Sequence, residues 1–268
     1  MIRANEARGV RFVLSALVLF ALIWAGAGPL QAATKTPTPV GNDVSWPQCG
    51  KALPKGQAFG IVGVNNGLAN TTNPCLASQL TWAQGSKGGT TQPKVALYVN
   101  TANPELAGSW WPSNNVYGGS TVSNPYGVCD HTATPACAYM YGYAKAYDDA
   151  NIRGVTAPSA YVWWLDVEIA NSWSTNKTAN TADLEGMTAY FRSIGADVGL
   201  YATTYQWGAI VETVGAGSNL YSLKSWIPGA MTLGQAKTNC SSSPLPPGGK
   251  VTLTQYVSGS LDYDYSCI

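Results

Sequence analysis

A single histidine, His131, stands among 268 residues. It narrows the chemistry before any motif is sought, because Ser–His and Cys–His nucleophile pairs both need an imidazole base. His131 sits in a loop bounded by cysteines, Cys129-Asp-His-Thr-Ala-Thr-Pro-Ala-Cys137, and a surface position is expected there. Carboxylates are the acid–base groups that remain. The most suggestive run is Tyr161-Val-Trp-Trp-Leu-Asp-Val-Glu168. Read as a strand, its period of two sends Val162, Trp164, Asp166 and Glu168 to one face and Tyr161, Trp163, Leu165 and Val167 to the other. Asp166 and Glu168 then stand one pleat apart, about 7 Å by strand rise. At that spacing one ionised carboxylate raises the pKa of the other, which keeps an acid protonated near neutral pH. Asp-x-Glu alone also occurs at many solvated strand ends. Here Asp43 ends the first strand candidate, while Asp262 and Asp264 sit on the last, so closure of a barrel would bring four strand-end carboxylates together.

The elements that must position these groups follow from the apolar pattern. Short runs rich in β-branched and aromatic residues alternate with helical patterns through the first two thirds, which argues for β-α units on a parallel sheet. Strands are expected at 42–46, 59–64, 94–100, 161–168 and 198–203, and helices at 76–84, 138–152 and 181–194. The 138–152 helix is reached only after a long Gly/Ser/Asn/Pro insertion carrying Trp110-Trp111, and a long loop in a compact domain is usually functional. Beyond Val214 no strong helical period remains, yet 225–228, 251–257 and 260–265 read as strands. The expected fold is α/β, an irregular (β/α) TIM-type barrel of about five β-α units closed by three strands with little helix. Asp166 and Glu168 would point inward at its C-terminal mouth, where such barrels assemble active sites.

The first 33 residues read as a cleaved signal, with Arg3, Arg8 and Arg11 ahead of an apolar run too short to span a bilayer. Residues 34–40, with two prolines, read as a linker, and 41–268 as one domain. Removing Arg3, Arg8, Arg11 and Glu6 leaves 12 basic and 13 acidic side chains, a balance that supplies no phosphate-binding stripe and argues against nucleic acid. After cleavage no stable membrane insertion is expected, and the chain is read as a secreted or cell-envelope monomer. All six cysteines follow the signal. In an exported chain that implies disulfides, with sequence neighbours the simplest pairing: Cys49 with Cys75, Cys129 with Cys137, Cys240 with Cys267. Their spacing does not suit structural zinc and one histidine gives one imidazole ligand, so neither metal nor cofactor is expected. Ten Trp and fifteen Tyr stand against four Phe. Such amphipathic rings suit carbohydrate faces as well as cores, and Trp46, Trp110, Trp111, Trp164 and Trp173 are the candidate sugar platforms.

Gly41-Asn-Asp-Val-Ser45 resembles the opening Gly-x-Asp-Val-Ser of family 25 glycoside hydrolases. Leu165-Asp-Val-Glu168 is similar to their Leu-Asp-x-Glu strand, Gly199-Leu-Tyr-Ala-Thr203 to their Ile-Tyr-Thr strand, and Thr254-Gln-Tyr256 with Leu261-Asp262 to their closing Trp-Gln-Tyr and Val-Asp elements. The resemblance implies cleavage of the β-1,4 bond after N-acetylmuramic acid in peptidoglycan. It makes Glu168 the general acid, Asp166 the group that positions an acetamido group or a water, and Asp43 and Asp262 supporting carboxylates. Trp164, Trp46, Asn171, Trp173, Tyr201, Gln255 and Asp264 are the expected substrate contacts, and the partner is a polysaccharide, peptidoglycan or another N-acetylhexosamine polymer. The chain departs from the family at Gly63-Val-Asn-Asn-Gly67, where those lysozymes carry Lys-Ala-Thr-Glu-Gly, and at Leu97-Tyr-Val-Asn100, where they carry Tyr-His-Phe. With the Trp110-Trp111 insertion and the cysteines, these departures look more like the glycoside-hydrolase-like domains of unknown function in actinobacterial exported proteins. A carbohydrate- or cell-wall-binding module without turnover is therefore the alternative. A family 18-type chitinase also ends a barrel strand with Asp-x-Glu, but its longer Asp-rich run is absent.

Overall fold

The computed structural model describes residues 39–268. The expected signal at 1–33, and all but the last two residues of the expected linker at 34–40, lie outside the described residues. In chain order the strands are β1 (Val40–Val44), β2 (Gly60–Gly63), β3 (Val95–Asn100), β4 (Val116–Tyr117), β5 (Ser120–Thr121), β6 (Val162–Asp166), β7 (Asp197–Tyr201), β8 (Lys224–Ala230), β9 (Val251–Ser258) and β10 (Leu261–Ser266). Strands β4 and β5 form a small hairpin within the insertion, and the other eight close into a barrel. From β1 round to β9 neighbouring strands run parallel. The last strand, β10, is antiparallel to both β9 and β1 and seals the cylinder.

Parallel neighbours need crossovers. Five helices supply them: α1 (Leu76–Gln84) after β2, α2 (Pro135–Asn151) after β3, α3 (Lys177–Ser193) after β6, α4 (Thr204–Ile210) after β7 and α5 (Leu233–Asn239) after β8. Three adjacent strands, β9, β10 and β1, have no α-helix following them. The structure adds helices α4 and α5 and the β4–β5 hairpin to the expected elements and moves the starts of α2 and α3. Helix α5 departs from the helix-free chain expected beyond Val214, because its seven residues bury only Ala236 and leave no apolar stripe. Helix α3 begins a turn earlier than 181, where Asn176 accepts from the backbone N–H groups of Thr178 and Ala179 as an N-cap.

Strand alternation splits the core into two layers. Phe59, Ile61, Ala96, Trp164, Trp226 and Leu253 fill the barrel interior. Val62, Leu97, Val99, Trp163, Leu165 and Leu200 pack outward against helix residues such as Leu184 and Phe191, with the Trp163 ring stacked on Phe191 at 4.4 Å. The interior is crowded. A Cβ on Gly199 would lie 2.3 Å from the Trp164 ring, so β7 must offer glycine for that indole to enter. Helices α2 and α3 meet backbone to backbone, since a Cβ on Gly142 would lie 1.9 Å from the Asp183 carbonyl oxygen and one on Gly186 2.0 Å from that of Tyr139.

Three disulfides join Cys49–Cys75, Cys129–Cys137 and Cys240–Cys267, the expected pairing of sequence neighbours. They fix the turn after β1 to the start of α1, the insertion to α2, and the end of α5 to the chain beyond β10.

Candidate active site

Barrel register decides which polar residues meet. On β1 and β10, Asp43 lies directly opposite Asp262, and one pleat along Asp264 lies opposite Gln255 of β9. On the other side Asp166 of β6 pairs with Asn100 of β3 and with Tyr201 of β7. All these positions are at or near the C-terminal ends of the parallel strands, and their inward side chains surround a polar pocket of about 160 Å³ lined by Asp43, Tyr98, Asp166, Glu168, Tyr201, Trp226, Gln255 and Asp262. Glu168 lies two residues past the end of β6. The alternation nonetheless carries on through it, for Val167 is buried in the outer core and its N–H donates to the Tyr201 carbonyl at 2.8 Å.

Neutral donors hold the acids in place. Tyr201 Oη donates to Gln255 Oε1 at 2.9 Å, and Gln255 Nε2 donates to Asp43 Oδ2 at 2.9 Å. Asn100 Nδ2 donates to Asp166 Oδ2 at 3.0 Å, leaving Asp166 Oδ1 buried without a partner. A second tier stands behind Asn100. Its backbone N–H donates to Asn65 Oδ1 at 2.8 Å, Asn65 Nδ2 donates to Asp149 Oδ1 at 2.9 Å, and Arg153 Nε donates to the same carboxylate oxygen at 2.6 Å. Asn65 belongs to the Gly63-Val-Asn-Asn-Gly67 segment. It is buried and braces β3 rather than lining the pocket.

Burial among like charges makes these carboxyls hold their protons. Burial first, and then the neighbouring Asp262, lifts Asp43 to about 7 against the opposing Gln255 bond. Asp166 rises well above the carboxylate range through burial and then the charges of Glu168 and Asp43. Asp264 rises strongly through burial and then Asp43 and Asp262. Glu168 and Asp262 are raised by burial. Burial and then the acids around them push Tyr98 and Tyr201 far up, so both remain neutral hydrogen-bond donors. The pocket can therefore hold a protonated carboxyl next to an ionised one at neutral pH, which is what general acid catalysis needs.

Of the residues expected from sequence, Glu168, Asp166, Asp43, Asp262, Tyr201 and Gln255 come together here. Asp264 is fully buried beside Asp43 and does not line the pocket. Trp164 is corrected: it faces the barrel interior but sits a layer too deep, 1% exposed and edge-on to Trp226 at 5.7 Å, so neither ring face is available to a sugar. Trp173 is also corrected, since it packs against the outer core and its Nε1 donates to the Glu168 carbonyl at 2.8 Å. Trp46 is 45% exposed on the turn after β1, off the pocket wall. Asn171 lines a neighbouring depression. His131 is exposed on the insertion, away from the pocket. The sequence reading missed Tyr98, Asn100 and Trp226. Alternation along 97–100 puts Tyr98 and Asn100 on one face and could have signalled both, whereas the depth of Trp226 depends on cross-strand register. Among the described residues no group of His, Cys, Asp and Glu is arranged to hold a metal ion, and no helix is long and apolar enough to cross a membrane.

A family model described as lysozyme-like protein 1 matches residues 143–238. The chain is 38% identical over 55 residues to the probable GH family 25 lysozyme 4 of Dictyostelium discoideum, covering 20% of this chain and 25% of that protein. It is 27% identical over 121 residues to lysozyme-like protein 7 of Caenorhabditis elegans, covering 43% and 41%. Among solved structures, the modular Cpl-1 endolysin complexed with a peptidoglycan analogue aligns over 86% of this chain and 54% of its own, with a TM-score of 0.50 and 15% identity. The chain carries a family 25 lysozyme-like barrel. The matched stretches span about a quarter and two fifths of the two curated relatives, and the family 25-like barrel covers about half of the endolysin. Within this family 25-like barrel, the matched region 143–238 takes in β6 with Asp166, and Glu168 just beyond it, and ends within α5.

Proposed function

We propose that this protein is an exported glycosidase that hydrolyses peptidoglycan or another N-acetylhexosamine polymer by carboxylate acid catalysis. The observation that carries the reading is the convergence of Asp43, Asp166, Glu168 and Asp262 on one pocket at the barrel mouth. Glu168, past the strand end and only partly enclosed, is the group that reaches a substrate from solvent. It delivers a proton to the glycosidic oxygen as the bond breaks. Asp166, held by Asn100 and deeper in the pocket, orients the acetamido group or a water on the reacting sugar, and the Asp43–Asp262 pair sets the local charge. Tyr98 and Tyr201 supply neutral hydroxyls to the sugar. Export fits the three disulfides, which persist in oxidising compartments, and the apolar, arginine-flanked N-terminal segment of the sequence.

One further reading is a barrel that binds glycan without turning it over, favoured by the departures from the family at Gly63-Val-Asn-Asn-Gly67 and Leu97-Tyr-Val-Asn100. Release of reducing ends from purified peptidoglycan and from chitin oligomers separates the two. The glycosidase reading expects release by the wild-type chain and its loss in Glu168→Gln. Retention on either polymer with no release from either substitutes the binding module.

A further inference from the structure

Beside the carboxylate pocket lies a second depression of about 180 Å³, built by loops that leave three consecutive barrel strands at the same end. Leu68 and Asn70 come from the loop after β2, Pro104 and Ser109 from the insertion after β3, and Asn171 from the loop after β6, with Tyr141 of α2 also in the lining. Asn70 Nδ2 donates to Ser109 Oγ at 3.5 Å and joins two of the loops. Asn171 N donates to the Glu168 carbonyl at 3.1 Å, so the depression adjoins the reacting end of the candidate active site through three residues of chain. Asn171 Nδ2 is enclosed and has no acceptor, a donor whose desolvation is uncompensated until something binds. The Tyr141 ring is buried and held between Trp110, at 6.0 Å, and Trp111, at 5.2 Å.

The lining contains no Asp, Glu, Lys, Arg or His. A carboxylate or ammonium placed there would lose water without gaining an ionic partner. Apolar walls from Leu68 and Pro104, interrupted by the Asn70, Ser109 and Asn171 polar groups, suit a neutral ligand with both a C–H face and amide or hydroxyl groups. We infer that this depression is a second saccharide subsite, which holds an unreacted, uncharged N-acetylhexosamine unit of the same polymer whose bond is cut at Glu168. The inference rests on the proposed function for the identity of the polymer. It assigns the Trp110-Trp111 insertion a role in substrate length, because Pro104 and Ser109 exist only through that insertion and the Trp110–Tyr141–Trp111 stack supports the floor.

Binding of soluble glycan-strand fragments of two and six sugars, free of peptide, to the full chain carrying Glu168→Gln tests this. The six-sugar fragment is expected to bind at least about 10-fold more tightly than the disaccharide. Asn171→Ala should erase about 10-fold of that gain, the worth of one buried hydrogen bond, and leave disaccharide affinity unchanged. Ala107→Phe, which fills the depression from its wall, should do the same with an unaltered melting curve and guards against a local folding defect in the first variant. Equal affinity for the two lengths, or a gain that survives both variants, overturns the subsite even if wild-type turnover is present. A gain that appears only with peptide-bearing fragments overturns the saccharide assignment in favour of a peptide site. Loss of the gain in both variants of a chain without any turnover keeps the subsite and rejects the glycosidase.

Discussion

Two sets of buried acids can be compared in this molecule. One stands in the barrel mouth, where Asp43, Asp166, Asp262 and Asp264 crowd together with Glu168. The other stands in the helix layer, where Asp149 and Asp183 of α2 and α3 are fully buried. Burial raises the pKa in both places, Asp149 to about 7 with Arg153 opposing it, and Asp183 far above the carboxylate range with Lys145 opposing it. Neither Asp183 oxygen has a hydrogen-bond partner. A raised carboxyl pKa therefore does not by itself mark an active site. The mouth cluster differs because Asp43, Asp166, Glu168 and Asp262 face one another across an open pocket, whereas Asp149 is taken up by Asn65 and Arg153, and Asp183 lies against the Gly142 backbone between packed helices.

The comparison breaks if acids of the two sets respond alike to substitution. Glu168→Gln is expected to lower turnover by at least about 100-fold, the usual worth of a positioned general acid, with an unchanged melting curve. Asp183→Asn should leave turnover intact in the same reducing-end assay. Asp149→Ala should act on stability instead and cost about 3 kcal/mol in urea unfolding, because it strands the largely buried Arg153 without its counter-charge. Asn100→Ala lies between the two sets. It removes the bond that holds the Asp166 pKa down, so kcat should fall about 10-fold and the kcat–pH profile should move to higher pH, a shift that a packing defect alone would not produce.

The smallest expected effect concerns pH and stability. Asp43, Asp149, Asp166, Asp183 and Asp264 all have folded-state pKa values above the unfolded value near 3.8. Between about pH 4 and 7 the folded chain therefore holds more protons than the unfolded chain, and stability falls as pH rises through that window. The melting temperature should be higher at pH 5 than at pH 8. Asp183→Asn, which cannot ionise, should flatten that slope by one group's share.

Much of the mouth cluster was legible because a strand period of two needs no tertiary information. Asp166 and Glu168 share a face with Trp164 whatever the barrel around them, and Asp43 and Asp262 follow once the first and last strands are taken as neighbours. Alternation gives the face but not the depth. Trp164 and Trp226 both point inward, yet only Trp226 reaches the pocket, and that depends on the register of β6 against β7 and β8. Helix α5 was hidden for a related reason: a short helix covering strand edges with one alanine carries no periodic signal. The hydrogen bonds from Arg153 through Asp149 and Asn65 to Asn100 join parts of the chain up to 84 residues apart, a link that no local pattern records.

Asp43 and Asp262 face each other across the seam between β1 and β10. The cluster thus draws Asp43 from the first strand of the described chain, Asp166 and Glu168 from β6 and the residues just past it, and Asp262 and Asp264 from the last strand, and no shorter nascent segment contains it. In a chain delivered from its N-terminus, the strand that arrives first waits unpaired on one edge until the last strand is released. Completion of the carboxylate pocket is then tied to the docking of β10, the strand that sets Asp262 opposite Asp43.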